Sequence, residues 1–176
     1  MWQDRKTIIA PRWRRHIAEE EPTMGDNFTV ERSQSMNAST EAIWAKVGDL
    51  TQWNDWSPWA EMDPNMQSTY TGEPGAVGST SSWTGNRKVG QGSMKITSSD
   101  APNKVDIDLS FIKPFKAENQ VEMLITGSGD ASEVTWRMHG EHNFMTKLMS
   151  RFGKTMDKMV GPDFEKGLTK LKGLVE

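Results

Sequence analysis

Hydrophobic and polar residues alternate along most of the middle of the chain, as expected for β-strands with one buried face. In the clearest segment the apolar positions are Val105, Ile107, Leu109 and Phe111. The segments predicted as strands are 28–32, 66–71, 78–84, 89–97, 104–112, 120–126 and 132–140. Turns rich in Gly, Pro, Asn and Asp separate the later ones, so the sequence predicts an antiparallel meander whose second face is solvated.

Helical spacing replaces the alternation in two short segments after the first strand. One helix is predicted over 40–48, where Ile43, Trp44 and Val47 share a face. Residues 50–59 predict a second short helix or tight coil that ends at a Ser-Pro pair, because the residue before a proline is pushed out of the helical region.

The C-terminal region has a helical period throughout. The apolar stripe comprises Met145, Leu148, Met149, Phe152, Met156, Met159, Phe164, Leu168 and Leu171. This spacing predicts one long amphipathic helix. We expect Gly161-Pro162 to kink or restart it, because proline fits the first turn of a helix better than its interior.

The order of these elements predicts an α+β helix-grip fold. In this fold a curved antiparallel sheet, here of about seven strands, wraps around the long C-terminal helix and leaves a cavity between them. Residues 1–27 lack a sustained period and mix runs of Arg and Glu, so we interpret them as a charged tail. Residues 28–176 form the domain.

Composition narrows the function classes further. The 21 Lys and Arg residues against 24 Asp and Glu give a net charge of −3, which argues against nucleic acid as the principal partner. The chain has no Cys, which excludes thiolate nucleophiles and Cys-based metal sites. The sequence contains no run of about 18 apolar residues, so it predicts no transmembrane segment. We therefore expect a cytoplasmic protein.

Short motifs along the domain add a resemblance. They are Val30-Glu31-Arg32-Ser33, Ala42-Ile43-Trp44, Asp49-Leu50, Trp53, Trp56-Ser57-Pro58-Trp59, Asp63-Pro64, Gly75-Ala76-Val77-Gly78-Ser79, Trp83-Thr84-Gly85-Asn86, Val89-Gly90-Gln91-Gly92-Ser93-Met94, Phe111-Ile112-Lys113-Pro114-Phe115, Val134-Thr135-Trp136-Arg137-Met138 and Asp163-Phe164-Glu165-Lys166-Gly167-Leu168. In order and spacing the chain resembles the START-like (SRPBCC) superfamily, in particular its polyketide cyclase/dehydrase branch. The resemblance implies that a hydrophobic or lipid-like small molecule binds in the cavity under the long helix.

Tryptophan and methionine are unusually frequent, with 8 Trp and 12 Met, and they supply most of the candidate site. A Trp cluster could close the mouth of an apolar pocket and offer indole N–H donors to a ligand, or it could pack the short helices onto the sheet. A Met stripe could accept variable apolar shapes or form plain core. The candidate ligand-binding residues are Trp53, Trp56, Trp59, Trp83, Met94, Phe111, Met123, Trp136, Met138, Met145, Met149 and Met156.

Catalytic and metal-binding constellations are sparse. His139 and His142 are three positions apart, but no third ligand is evident, so we predict no metal site and no cofactor. Binding or carriage of an apolar molecule is therefore the first hypothesis. The alternatives are a cyclase or aromatase, which would need a titratable group in the cavity, and a protein-interaction module similar to chaperone activators.

Overall fold

A computed structural model of the chain describes residues 27–141 and 155–176. Its strands are β1 (Asn27–Met36), β2 (Gln67–Thr71), β3 (Thr80–Thr84), β4 (Gln91–Asp100), β5 (Lys104–Lys113), β6 (Ala117–Ser128) and β7 (Ala131–Glu141). They pair antiparallel as one sheet in the order β1-β7-β6-β5-β4-β3-β2. From β2 onwards each strand pairs with the next along the chain, and β1 pairs with β7.

The helices lie between β1 and β2 and at the C-terminus. They are α1 (Thr40–Val47), a 3₁₀-helix (Leu50–Asp55), α2 (Pro58–Met62) and α3 (Met156–Val175). Ser39 caps α1 by accepting a hydrogen bond from the Ala42 amide, and Thr155 caps α3 in the same way from the Lys158 amide. The α+β helix-grip fold predicted from the sequence is confirmed.

The strand predictions hold with shifted ends. The largest shift relevant to the site is in β6, which begins at Ala117 rather than at residue 120. The second helical segment is divided into the 3₁₀-helix and α2, because Ser57 is extended and ends the first before Pro58 begins the second.

The two faces of the sheet differ as the alternation predicts. The concave face carries the core, with Val30, Ile107, Met123 and Trp136 almost fully buried. The convex face is polar and carries cross-strand charge pairs. There Arg137 donates to Glu31 on one neighbouring strand and, at 3.1 Å, to Glu122 on the other.

Helix α3 packs tightly against rings of β7 and α2 at Gly167. A Cβ atom on this residue would lie 2.8 Å from Cζ3 of Trp136 and 3.1 Å from Cδ of Pro58. One turn earlier, the Phe164 ring stacks on Trp136 with ring centres 4.1 Å apart and planes inclined by 7°. The missing side chain thus sets how close α3 can lie to β7 and α2.

A second contact holds α3 to β1. Arg32 occupies an inward position of this edge strand, and its guanidinium binds Asp157 at 2.7 Å and Glu165 at 2.6 Å. It crosses the helix at Gly161, where a Cβ would lie 2.1 Å from Nη2. These bonds raise the pKa of Arg32, and its hydrogen bond lowers the pKa of Asp157.

Of the two outcomes expected at Gly161-Pro162, a kink or a restart of the helix, the restart is wrong. Helix α3 runs through Pro162 without restarting. Proline removes one internal hydrogen bond, but the single guanidinium of Arg32 is bonded to Asp157 before the proline and to Glu165 after it. The earlier part of the predicted stripe, from Met145 to Phe152, lies outside the described residues.

The close contact at Gly167 yields a matched pair of substitutions in one helix. Gly167→Ala should destabilise the protein by about 1–3 kcal/mol, because the new methyl group overlaps two rigid rings. Gly173→Ala, where a Cβ meets nothing within 4 Å, should stabilise it by about 0.5–1 kcal/mol through helix propensity alone. Urea unfolding measures both. An equal gain for the two variants would show that α3 does not lie this close to Trp136.

The stability contributed by the contact between α2 and α3 should depend on pH. Glu61 accepts hydrogen bonds from Lys166 at 2.6 Å and Lys170 at 2.8 Å, which lower its pKa from 4.5 to about 2. A carboxylate with a depressed pKa contributes stability above its unfolded pKa and loses it as the pH falls through the folded value.

We therefore expect Glu61→Gln to be less stable than wild type at pH 7, with a difference that shrinks between about pH 5 and pH 2. Thermal unfolding across this range is the measurement. Glu73→Gln is the control, because Glu73 is exposed and forms no ion pair within the described residues. A Glu61→Gln difference that stays constant with pH would contradict the ion pairs.

Candidate functional site

A cavity of about 240 Å³ lies between the concave face of the sheet and the N-terminal half of α3. It is found at the end of the sheet where β1 and β6 begin and where β5 and β7 end. Most of its wall is apolar: Phe28, Trp53, Trp59, Met66, Trp83, Val89, Met94, Leu109, Phe111, Ala117, Val121, Trp136, Met138, Met156, Val160 and Phe164. The groups in reach of a bound molecule are therefore mainly hydrocarbon and aromatic rings.

The opposite end of the sheet is solidly packed. Met36, Ile125, Val134 and Leu171 are each at most 2% exposed there, and none of them lines the cavity. A helix resting on a curved sheet can fill the space on one side of a tight contact and leave a gap on the other. Here Gly167 on Trp136 is a tight contact between the packed end and the cavity.

Trp136 forms the inner wall of the cavity and is surrounded by other rings. Phe164 stacks on it, and the rings of Trp53, Trp56 and Trp59 stand at 74–85° to it with centres 5.2–5.9 Å away. Such tilted arrangements are favourable for aromatic pairs. The Trp136 indole N–H is buried and has no hydrogen-bond partner within residues 27–141 and 155–176. The surrounding rings offer it only weak π acceptors.

Three of the candidate indoles donate their N–H groups to backbone carbonyls. Trp53 donates to the carbonyl of Val47 at 2.9 Å, and Trp56 donates to that of Lys46 at 3.1 Å. Trp83 donates to the carbonyl of Val89 at 3.1 Å. For Trp53 and Trp56 this favours the packing alternative over an N–H that orients a ligand, and the Trp83 donor is likewise used by the backbone.

The structure places eight of the twelve candidate side chains in the cavity wall. They are Trp53, Trp59, Trp83, Met94, Phe111, Trp136, Met138 and Met156. Trp56 and Met123 are fully buried and are not among the lining residues. Met145 and Met149 lie outside the described residues.

Five uncharged polar residues also line the cavity, and the sequence interpretation missed them: Asn54 and Ser68, which hydrogen-bond to each other, and three buried ones. Ser57, Ser81 and Asn119 are 5–8% exposed. Within the described part of the chain, none of their side chains forms a hydrogen bond. Asn119 lies over Gly140 of the neighbouring strand, where a Cβ would be 2.1 Å from its Oδ1.

A signal for Asn119 was present in the sequence. It lies two positions before Val121, so the alternation of Val121, Met123 and Ile125 places it on the inward face. The predicted strand began at residue 120 and left it out. Asn103 and Asn86, by contrast, lie in turns outside the cavity wall. Residue type alone therefore could not identify Asn119 as a cavity residue.

Among the described residues that line the cavity, two are charged. Lys88 and Glu141 both line the cavity, and both side chains are exposed. Over residues 27–141 and 155–176 no group of three or more His, Asp or Glu residues could hold a metal ion. His139 is on the polar face of β7, beside Gln120 rather than in the cavity, and His142 is not among the described residues.

None of the described helices is both long enough and apolar enough to cross a bilayer.

Solved structures share this fold over most of the chain. Ginseng major latex-like protein 151 from Panax ginseng superimposes with a TM-score of 0.61 at 12% identity, covering 86% of this chain and 99% of that one. A norcoclaurine synthase point mutant from Thalictrum flavum gives 0.61 at 12%, covering 85% and 94%. The Aha1 dimer from Colwellia psychrerythraea gives 0.55 at 17%, covering 85% and 96%.

Sequence comparison identifies the family. No curated protein matches the chain significantly. The profile of the family described as "Polyketide cyclase / dehydrase and lipid transport" matches residues 27–176, which include every described element from β1 to α3. The chain therefore belongs to the polyketide cyclase/dehydrase and lipid transport family.

Proposed function

We propose that this protein binds and carries an apolar small molecule that has an uncharged polar group, such as a hydroxyl or a carbonyl. The observation that carries the proposal is the combination of an apolar cavity with three buried, unbonded neutral side chains: Ser57, Ser81 and Asn119. These residues are largely buried, but their polar atoms remain accessible from the cavity, so a ligand that enters it can supply the hydrogen-bond partners that the protein does not.

The size of the cavity limits the ligand. Its 240 Å³ exceed the roughly 150 Å³ of an apolar cavity that accepts benzene. They fall below the roughly 300–1,000 Å³ typical of drug-sized ligands. A ring compound of one or two rings, or a short alkyl chain, fits this range.

The charge of the cavity favours a neutral ligand. A buried carboxylate or ammonium needs a charged or multiply hydrogen-bonded partner, because desolvation of an unpaired ion is very costly. The charged lining residues, Lys88 and Glu141, are exposed, so they would meet only a group that stays at the mouth.

Binding has more support than catalysis. The family description includes both catalysts and lipid carriers, so membership alone favours neither. General acid–base chemistry needs a titratable group near the reacting atoms. Among the described lining residues, the groups able to fill this role are Lys88 and Glu141, and both are exposed.

The direct test is native mass spectrometry of the purified protein, followed by extraction and identification of any molecule that remains bound. A neutral, mainly apolar compound would support the proposal. A bound anionic lipid would contradict its neutral-ligand part. An empty protein that also fails to bind the probes described next would contradict binding altogether.

Asn119→Leu should separate apolar from polar recognition. Leucine is close in size to asparagine but has no hydrogen-bonding group, so the variant should bind octane at least as well as wild type. Its affinity for octanol should fall about fivefold, since one net hydrogen bond contributes about 1 kcal/mol. Isothermal titration calorimetry with octane, octanol and octanoate measures the difference.

A matched pair of serines controls this experiment. Ser81 lines the cavity, whereas Ser79 is equally buried, has an unbonded hydroxyl and does not line it. Ser81→Ala should weaken octanol binding, and Ser79→Ala should leave it unchanged. Equal octanol affinity in wild type, Asn119→Leu and Ser81→Ala, or a preference of the wild type for octanoate, would overturn the neutral-ligand assignment.

A further inference from the structure

Beside the mouth of the cavity, the tip of the β5–β6 hairpin exposes two large apolar side chains. Ile112 is 47% exposed and Phe115 is 52% exposed, among the most exposed large hydrophobic residues of the described chain. Their sequence neighbours Phe111 and Ala117 line the cavity. The tip, residues 112–116, is therefore part of the rim around the opening.

Four cations surround these apolar groups. Lys113 and Lys116 belong to the tip itself, and Arg87 and Lys88 lie in the adjacent β3–β4 loop. The loop and the tip are in direct contact, because a Cβ on Gly90 would lie 2.1 Å from the Lys113 carbonyl oxygen.

None of these four cations forms an ion pair within residues 27–141 and 155–176. Acids close to these cations include Asp63, Glu118 and Glu141. Asp63 accepts a hydrogen bond from the Asn86 amide in the β3–β4 loop, Glu118 accepts one from Ser110, and Glu141 is at the rim. In a chain with a net charge of −3, this rim is a local concentration of positive charge.

Apolar side chains at a protruding turn, framed by unpaired Lys and Arg, match the chemistry of an anionic membrane surface. The apolar groups can enter the interfacial region while the cations meet the lipid phosphates. Two exposed side chains are a small area compared with the roughly 800 Å² per partner of a stable protein interface. The tip therefore suits a lipid surface better than a folded partner.

We propose that residues 112–116 and the β3–β4 loop dock the protein on the surface of a bilayer that contains anionic lipid. Docking turns the mouth of the cavity toward the headgroups. This binding is independent of which molecule the cavity holds, so it can succeed or fail separately from the proposed function.

Vesicle co-sedimentation of the full chain tests the proposal. Vesicles of phosphatidylcholine mixed with phosphatidylglycerol should bind the protein, pure phosphatidylcholine should bind it much less, and salt should weaken the binding. Ile112→Ser with Phe115→Ser should abolish sedimentation. Lys113→Gln with Lys116→Gln should weaken it roughly 25-fold, about fivefold for each cation.

Matched controls lie elsewhere on the surface. Leu174→Ser removes a side chain that is 49% exposed at the far end of α3, and Lys95→Gln removes an exposed cation on β4. Both should sediment like wild type. Because all variants keep residues 1–26, a contribution from that segment cancels in the comparison.

Two results would overturn the proposal. One is equal sedimentation of the wild type and both tip variants. The other is self-association of the wild type, seen by size-exclusion chromatography over a range of concentrations and lost in Ile112→Ser with Phe115→Ser, which would assign the tip to a second copy of the chain.

Discussion

The contact between Gly167 and Trp136 sets the geometry on which the site depends. Without a side chain at Gly167, α3 packs against the Trp136 indole of β7 and the Pro58 ring, and Phe164 can stack on the same indole. Beyond this contact Leu168 and Leu171 close the core completely. Before it, Val160 and Met156 face a sheet that has curved away, and the space between becomes the cavity.

Much of the fold could be predicted from the periodicity alone, because each strand has one buried face and the alternation marks it. Arg32 illustrates the limit of prediction from periodicity. Its inward position follows from that of Val30, but its partners Asp157 and Glu165 are more than 120 residues away along the chain. For the same reason the sequence suggested a kink or a restart of the helix at Pro162, since local chemistry could not include a guanidinium from β1 that bonds on both sides of it.

The candidate site was predictable in its apolar part and not in its polar part. Inward-facing aromatic residues follow from strand parity. The partners of the Trp53, Trp56 and Trp83 N–H groups do not, because they are backbone carbonyls of a helix end or a turn. Asn119 was missed because the start of β6 was predicted three residues too late, at residue 120 rather than Ala117. The described cavity wall is apolar at its inner end, carries neutral polar groups along its length and has charged residues at its rim.

The most direct test of the cavity is methyl NMR of protein labelled with ¹³C at the methionine methyl groups, recorded under increasing xenon pressure. Xenon enters apolar cavities. The expected result is that the methyl signals of Met66, Met94, Met138 and Met156, which line the cavity, shift and saturate, while those of the buried residues Met36 and Met123 do not. Single Met→Leu variants assign the signals. Shifts of equal size in all six methyl groups, or in none, would contradict a cavity at this end of the sheet.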